Sequence, residues 1–458
     1  MKKMSTAMTI EEKDIDSVEK RKSFTIGIIG SEQTYLLYAC LFAQAGFKII
    51  AADSNQYILT FLKEGRIPSL QAECNALLKK YIKDCLLIPT NNFREIASKS
   101  DVLMLLIHAT INQNKKPNYS SVEKACKEIG MNLRAGCLVI VASTMGLGIT
   151  ESLVKETLEN ASGLKAGADF GLAYNPANVA SLPTLEDLAR FPRVVGGINK
   201  RSLQIACLIL KTITKGELVE MENIRAAEAV KLFEDAYQDV SVALANEFAK
   251  FSEKVEIDFT TTQKAISIHS NCHLPTPRIA KGNSLKAPYL LLEEARLADA
   301  RLPMLSLAIK ANDDMLRHCL RLVTDSLRAC SKTVRRSRVA ILGISSHPNV
   351  KDLREFPAEE IVNMMKKRGM IIRVYDPMFS YNELVEMGFP AERTLKKAVE
   401  GADCLIVVSE HDQFRHLNLS KIKFLVRKPS AIVDMARAID PIKAEREGFI
   451  YRGLGRGA

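Results

Sequence analysis

The sequence predicts an α/β protein in which two doubly wound α/β domains are joined by a central helical segment. Three observations carry this reading. Short, almost uncharged apolar runs recur in the N-terminal and C-terminal parts of the chain, and runs apolar on both faces suit a buried parallel sheet. A strand–glycine–helix–strand unit opens the first part, and a strand entering a glycine opens the second. Between them, apolar residues recur every three or four positions, the period of one helix face.

Taken in order, residues 1–22 are polar and charged, and are expected to form a mobile leader. Residues 23–205 read as the first α/β domain. Phe24 to Gly30 is a strand entering a glycine turn, Leu36 to Ala43 a helix, and Lys48 to Ala52 a second strand closing on Asp53. That unit is about 30 residues long, the size of a βαβ element. Val102–Ile107 and Cys137–Val141 are further buried strands. Residues 206–330 read as the helical segment. Its stripe of Val230, Phe233, Tyr237, Val240, Leu244 and Phe248 must bury itself against something, and helical patterns continue through Met304–Leu327. Residues 331–458 restart the alternation, with strands at Arg338–Leu342, Ile371–Tyr375, Cys404–Val408 and Ala431–Asp434.

Composition narrows the function classes. At 458 residues, with 47% apolar and 26% charged residues, the chain can fill several ordinary cores. No uncharged run approaches the roughly 20 residues that span a bilayer, and the N-terminus turns acidic where a signal peptide needs apolar residues. No membrane partner is expected. Ten cysteines without a C-x-x-C pair suit a reducing cytoplasm. The net charge of +11 permits a polyanionic partner. The basic stretch Lys332–Arg338 lacks interleaved aromatics and reads as a solvated linker, so no nucleic acid is expected.

The first βαβ unit is where a dinucleotide would bind, with glycines admitting the pyrophosphate and the terminal acid taking ribose hydroxyls. The fingerprint window reads Gly30-Ser31-Glu32-Gln33-Thr34-Tyr35. Only its first glycine is present. Glu32 stands where pyrophosphate approaches, Tyr35 where helix and strand pack closely, and Asp53 is in place.

Motifs along most of the chain then resemble one family, the UDP-glucose/UDP-N-acetylmannosamine dehydrogenases. Pro348 to Pro357 resembles its D-D-x-R-E-S-P turn, Val374-Tyr375-Asp376-Pro377 its V-Y-D-P, and Gly453 to Gly457 its closing G-x-G-R. Glu228 to Tyr237 is similar to its E-x-x-K-L-x-E-N-x-Y helix, followed by Ala245-Asn246-Glu247. Ser143-Thr144 resembles its S-T-V-P turn, and Tyr174-Asn175-Pro176 with Arg193 to Gly197 its S-P-E-R and R-V-V-G-G segments. The resemblance implies two Rossmann-like domains, a homodimer built on the central helix, and a double NAD-dependent oxidation of a sugar C6 alcohol. That chemistry needs a thiolate, cationic and donor groups around an oxyanion and a carboxylate for protons or water.

Carried over position by position, the resemblance implies catalytic roles for Lys231 and Thr144, and an uneven remainder. Asp235 stands where the family has Asn, and Ala177 where it has the carboxylate. In the nucleophile loop, Asn283 holds the cysteine position, Ala287 the aspartate position, and the loop glycines are absent. Cys272 is the candidate substitute thiol. Gly30, Asp53, Ser143 and Arg354 are the cofactor-binding candidates, and Asn175, Arg278, Lys281 and Tyr289 the substrate-binding ones.

Three readings follow. In the first, the chain is a diverged member that has lost the cysteine-dependent oxidation and keeps the scaffold for a small anionic ligand, a nucleotide sugar or similar, or for other chemistry. An acid four residues after Lys231 can pair with it on one helix face. In the second, it is an NAD-dependent UDP-sugar 6-dehydrogenase that stops at the aldehyde or uses Cys272. NAD is implied by the resemblance, the lost glycines weigh against it, and another nucleotide-like cofactor stays compatible. In the third, His269, Cys272 and His273 hold a metal; near a turn, such residues are more often ordinary loop positions, and none is expected.

Overall fold

A computed structural model describes residues 10–456 apart from 31–33, 54–55, 66, 68–69, 71, 113, 178–183, 269–271, 280–285 and 354–356. The chain separates into two compact units, Met1–Ala236 with Lys286–Arg301 and Tyr237–Leu285 with Leu302–Ala458. The helical segment expected between the α/β domains is thus shared by the two units.

The first unit is built on β1 (Thr25–Gly30), β2 (Lys48–Asp53), β3 (Leu87–Thr90) and β4 (Val102–Leu106), a two-stranded hairpin of β5 (Thr110–Ile111) and β6 (Pro117–Asn118), and then β7 (Leu138–Val141), β8 (Gly171–Tyr174), β9 (Arg193–Gly197) and β10 (Leu218–Glu220). The main sheet runs β10-β9-β8-β7-β4-β1-β2-β3. Its pairs are parallel except β8 with β9. Every residue of β4 and β7 is buried, as their uninterrupted apolar sequences require. The helix Thr34–Gln44 is buried on all sides from Thr34 to Ala43, which its nearly uncharged sequence permits. The strand order reverses between β1 and β4, and ligands of such sheets bind beyond the strand ends at that switch point.

Residues 10–22 do not behave as the expected mobile leader. Ile10 and Ile15 are buried in the core cluster of β1, β2 and the Thr34–Gln44 helix. Arg21 Nε donates to the Ile15 carbonyl at 2.6 Å and Nη1 to that of Ala45 at 3.2 Å, which fastens the segment down.

The second unit carries β11 (Arg338–Leu342), β12 (Ile371–Tyr375), β13 (Cys404–Val407), β14 (Ser430–Asp434) and β15 (Phe449–Gly453), all parallel, in the order β12-β11-β13-β14-β15. Beyond β12, Asp376 accepts from the backbone N–H of Ile344 and Ser345 at 2.8 and 3.0 Å and from Ser345 Oγ at 2.9 Å. His411 is fully buried; its Nδ1 accepts from the Asn349 N–H, so Nε2 carries the proton facing Asp376 at 3.3 Å. These bonds consume the acid that ends β12 in shaping its own turn. No helix among the described residues is long and apolar enough to cross a membrane.

Candidate functional site

The first unit gathers a dense set of ionisable groups around the loop that follows β7. The long helix Ile224–Lys254 supplies Glu228, Lys231 and Asp235. Their spacing of three and four places them on one face. The loop supplies Ser143, Thr144, Gly146, Gly148 and Thr150, and the ends of neighbouring elements bring Tyr119, Tyr174 and Glu294.

Glu228 ties the loop to the helix. Its Oε2 accepts the Gly148 N–H at 2.5 Å and its Oε1 the Thr150 N–H at 3.0 Å. The side chain is fully buried, and that burial pushes its carboxyl up to about 7, although the two donors favour the charged form. Two phenols flank it, Tyr174 fully buried and Tyr119 half-buried. Burial raises both, with the charges of Glu294 and Glu228 adding at Tyr119 and those of Glu228 and Asp235 at Tyr174. Gly146 packs closely: a Cβ there would stand 2.6 Å from Tyr119 Oη and 3.0 Å from Glu294 Oε1, and these side-chain ends would have to shift.

Lys231 does not project alone. Its Nζ lies 2.8 Å from Asp235 Oδ1, and both side chains are largely buried. The pairing expected from the spacing is therefore present. Ala287, at the expected aspartate position, is buried in an apolar cluster with Ala109, Leu232 and Leu290. Ala177 is half-buried and donates its N–H to the Ala142 carbonyl at 2.9 Å. Tyr289 is buried, with the Lys115 ammonium 5.5 Å over its ring.

Two candidates are bonded to the sheet. Ser143 is fully buried and its hydroxyl donates to the Leu105 carbonyl at 3.3 Å. Asn175 is also buried; its Nδ2 donates to the Val194 carbonyl at 2.9 Å, bracing β8 against β9, while its Oδ1 has no hydrogen-bond partner among the described residues. Asn283, Lys281, Arg354 and His269 lie outside the described residues, as does Glu32.

In the second unit, Cys272, His273 and Arg278 are exposed. Their segment is held by Leu274 and Ile279 in the core, by Gln263 Nε2 donating to the Leu274 carbonyl at 2.8 Å, and by Asn246 Oδ1 accepting the Arg278 N–H at 2.9 Å. Asn246 passes its other end to Asn312 at 2.9 Å, and Asn312 donates to Asp239 Oδ1 at 3.0 Å. No cluster of His, Cys, Asp and Glu among the described residues could hold a metal.

The dinucleotide end of the sheet tests the fit of NAD. Gly30 and Asp53 are register partners at the carboxyl ends of β1 and β2, where the fold would place a ribose. Tyr35 lies over Gly30 so closely that a Cβ there would be 2.4 Å from its ring, and Asp53 and Tyr35 are both fully buried. Among the described residues, the Tyr35 ring over Gly30 does not fit NAD in the pose the fold provides; the turn at 31–33 lies outside them.

Comparison with known proteins now bears on the whole chain. The UDP-glucose/GDP-mannose dehydrogenase family matches through its NAD binding domain over residues 24–214, its central domain over 225–314 and its UDP binding domain over 340–441. The chain belongs to this family. Among its relatives, the UDP-N-acetyl-D-mannosamine dehydrogenase of Pyrococcus horikoshii is 27% identical over 434 residues, covering 94% of this chain and 99% of the relative. The solved UDP-D-ManNAc dehydrogenase from Pyrococcus horikoshii superposes with a TM-score of 0.86 at 27% identity, over 95% of this chain and 100% of that one. An NDP-N-acetyl-D-galactosaminuronic acid dehydrogenase from Methanosarcina mazei gives 0.78 at 27% identity, over 97% and 98%. Membership explains the two Rossmann-like sheets and the helical segment.

Sequence reasoning quoted Glu228 and Tyr174 only as parts of motifs and missed Tyr119 and Glu294. One signal was available for Glu228, since a carboxylate three residues before Lys231 on an amphipathic helix shares its face. Nothing local marks Tyr119 or Glu294.

Proposed function

We propose that this chain is a diverged nucleotide-sugar dehydrogenase that has lost the cysteine-dependent four-electron oxidation and keeps the scaffold for an anionic nucleotide-like ligand. The observation that carries this reading is the Lys231–Asp235 ion pair at 2.8 Å. A lysine held by an acid one helical turn away is a weaker donor to a developing oxyanion than a free one. Asn283 at the expected cysteine position cannot form a thioester, and Ala287 has settled into apolar packing. The UDP-binding domain of the family supports a nucleotide sugar as ligand. Cys272 and Arg278 stand on a segment pinned at Leu274 and Ile279, which suits a ligand-facing loop.

The second reading is an NAD-dependent UDP-sugar 6-dehydrogenase, for UDP-glucose or a UDP-N-acetylhexosamine. What favours it is the 94% coverage of this chain by a UDP-N-acetyl-D-mannosamine dehydrogenase. Thermal shift against NAD, UDP-glucose and UDP-N-acetylhexosamines, run with a 340 nm assay, separates the two. A shift with a UDP-sugar and no NADH supports the loss of oxidation; NADH formed from a UDP-sugar refutes it.

The assembly belongs to the same proposal. Phe233, Tyr237, Leu244, Phe248 and Phe251 stand exposed along one helix, with Tyr237 69% exposed. A stripe of this kind on a soluble chain marks an interface, and the family resemblance makes a second copy its occupant. The ten unpaired cysteines suit the reducing cytoplasm.

A further inference from the structure

The NAD-type domain carries a side chain in the place a dinucleotide would take. We propose that Tyr35 is a built-in plug of the dinucleotide groove, its ring occupying the volume over Gly30 and its phenol lying beside Asp53. The placement follows from the fold. Gly30 and Asp53 are paired across β1 and β2 at the strand ends, where a dinucleotide's ribose would lie against the acid and its pyrophosphate against the next helix N-terminus. Tyr35 is the second residue of that helix, Thr34–Gln44. Helical side chains lean back toward the N-terminus, so a tyrosine here is aimed at the strand ends and not along the sheet face.

The ring packs directly on Gly30. A Cβ placed on Gly30 would meet Tyr35 Cδ1 and Cγ at 2.4 Å and Cβ at 2.5 Å. Tyr35 is 0% exposed and Asp53 1%. The phenol oxygen lies against the Asp53 carboxylate. Burial, and then the neighbouring Asp53 charge, push the phenol pKa up, which keeps it protonated beside the carboxylate. The tyrosine thus replaces both things a dinucleotide would bring: an apolar body against the glycine and a hydroxyl near the acid. A glycine at this position, as the fingerprint has it, would leave both open.

The inference rests on the fold and on family membership, and is independent of whether the oxidation has been lost. The experiment is direct binding of NADH to the full-length protein, followed by the nucleotide's own emission, since the chain has no tryptophan. Isothermal titration with NAD serves as a second readout. The wild type is expected to bind with a dissociation constant weaker than about 1 mM. Tyr35→Ala is expected to tighten binding at least about tenfold, and Tyr35→Phe, which keeps the ring, to stay within about threefold of wild type. Tyr35→Leu, which keeps apolar bulk near the backbone and removes the phenol end, covers the case in which Tyr35→Ala does not fold; it too is expected to gain. Wild-type binding tighter than about 100 μM overturns the plug. So does a folded Tyr35→Ala or Tyr35→Leu that gains nothing, or a Tyr35→Phe that gains as much as they do. Wild-type binding of NADH without turnover of a UDP-sugar would sink the plug alone and leave the proposed function standing.

Discussion

Glu228 makes the stability of this protein depend on pH in a predictable direction. Its carboxyl is pushed from an ordinary 4.5 to about 7 by burial. Below 4.5 the group is protonated in folded and unfolded chains alike. Between 4.5 and about 7 the folded chain holds a proton that the unfolded chain has released. Stability therefore falls as pH rises through this window and levels off above it. At roughly 1.4 kcal/mol per pH unit, the interval corresponds to about 3 kcal/mol. Glu151, Tyr174 and Tyr119 face the same carboxylate, and the Gly148 and Thr150 N–H groups hold it. Glu228→Gln keeps the shape and one acceptor oxygen and removes the titration. The assay is urea denaturation of wild type and variant across pH 4.5 to 8, read as the difference between the two curves, which cancels the other acids. The difference should move in the variant's favour by about 2–3 kcal/mol as pH rises. A difference curve flat within about 0.5 kcal/mol, or sloping the other way, would refute the reasoning.

Two further outcomes are expected. Lys231→Ala and Asp235→Ala should each destabilise the chain by about 2–3 kcal/mol, because each leaves a largely buried charge unanswered, while the double variant should cost clearly less than their sum; additivity in urea melts would mean the pair is not a unit. Phe233→Asp with Tyr237→Asp, at side chains 57% and 69% exposed, should convert a dimer into a 51 kDa particle by light scattering with circular dichroism unchanged; a monomeric wild type at micromolar concentration would remove the stripe's proposed role.

Most of the strands that were readable in the sequence are buried on both faces, although β12, with alternating burial, was also read and the fully buried β8 was not. β1, β4, β7 and β13 are uninterrupted apolar runs, and their sequence says as much. β3 and β15 were missed for a physical reason. β3 (Leu87–Thr90) contains a proline and buries one residue fully, and β15 alternates buried and half-buried positions. The segment 10–22 was misjudged because two isoleucines among charges give no pattern, yet Ile10 and Ile15 suffice to anchor it. In the site, the Lys231–Asp235 pair was legible because both members sit one turn apart on one helix. Glu228 shares that helix face, but its tie to the loop was not legible, since its partners Gly148 and Thr150 lie 80 and 78 residues away. Ser143 and Asn175 were legible as motif positions, but not their bonds to the Leu105 and Val194 carbonyls, which join distant strands.

The substitutions at the family's working positions share a physical character that bears on the proposed function. A catalytic group that is simply deleted leaves its former partners unanswered, and each such buried group costs about 1–3 kcal/mol. Here the replacements at Asp235 and Ala287 are satisfied. Asp235 answers Lys231 with an ion pair, Ala287 packs with Leu232 and Leu290, and Tyr35 fills the space over Gly30. Under the proposed function, such exchanges would trade chemistry for stability, as expected when stability and active-site strain oppose each other. The other end of the first sheet differs. There Asn175 Oδ1 is buried without a hydrogen-bond partner among the described residues, beside the half-buried Thr144 loop. A buried acceptor left unanswered asks for a donor from outside the protein, a water or a ligand. The asymmetry favours a fold closed at its dinucleotide end and still polar near the helix that carries Glu228 and Lys231. Binding without NAD-dependent oxidation is the function that arrangement suits.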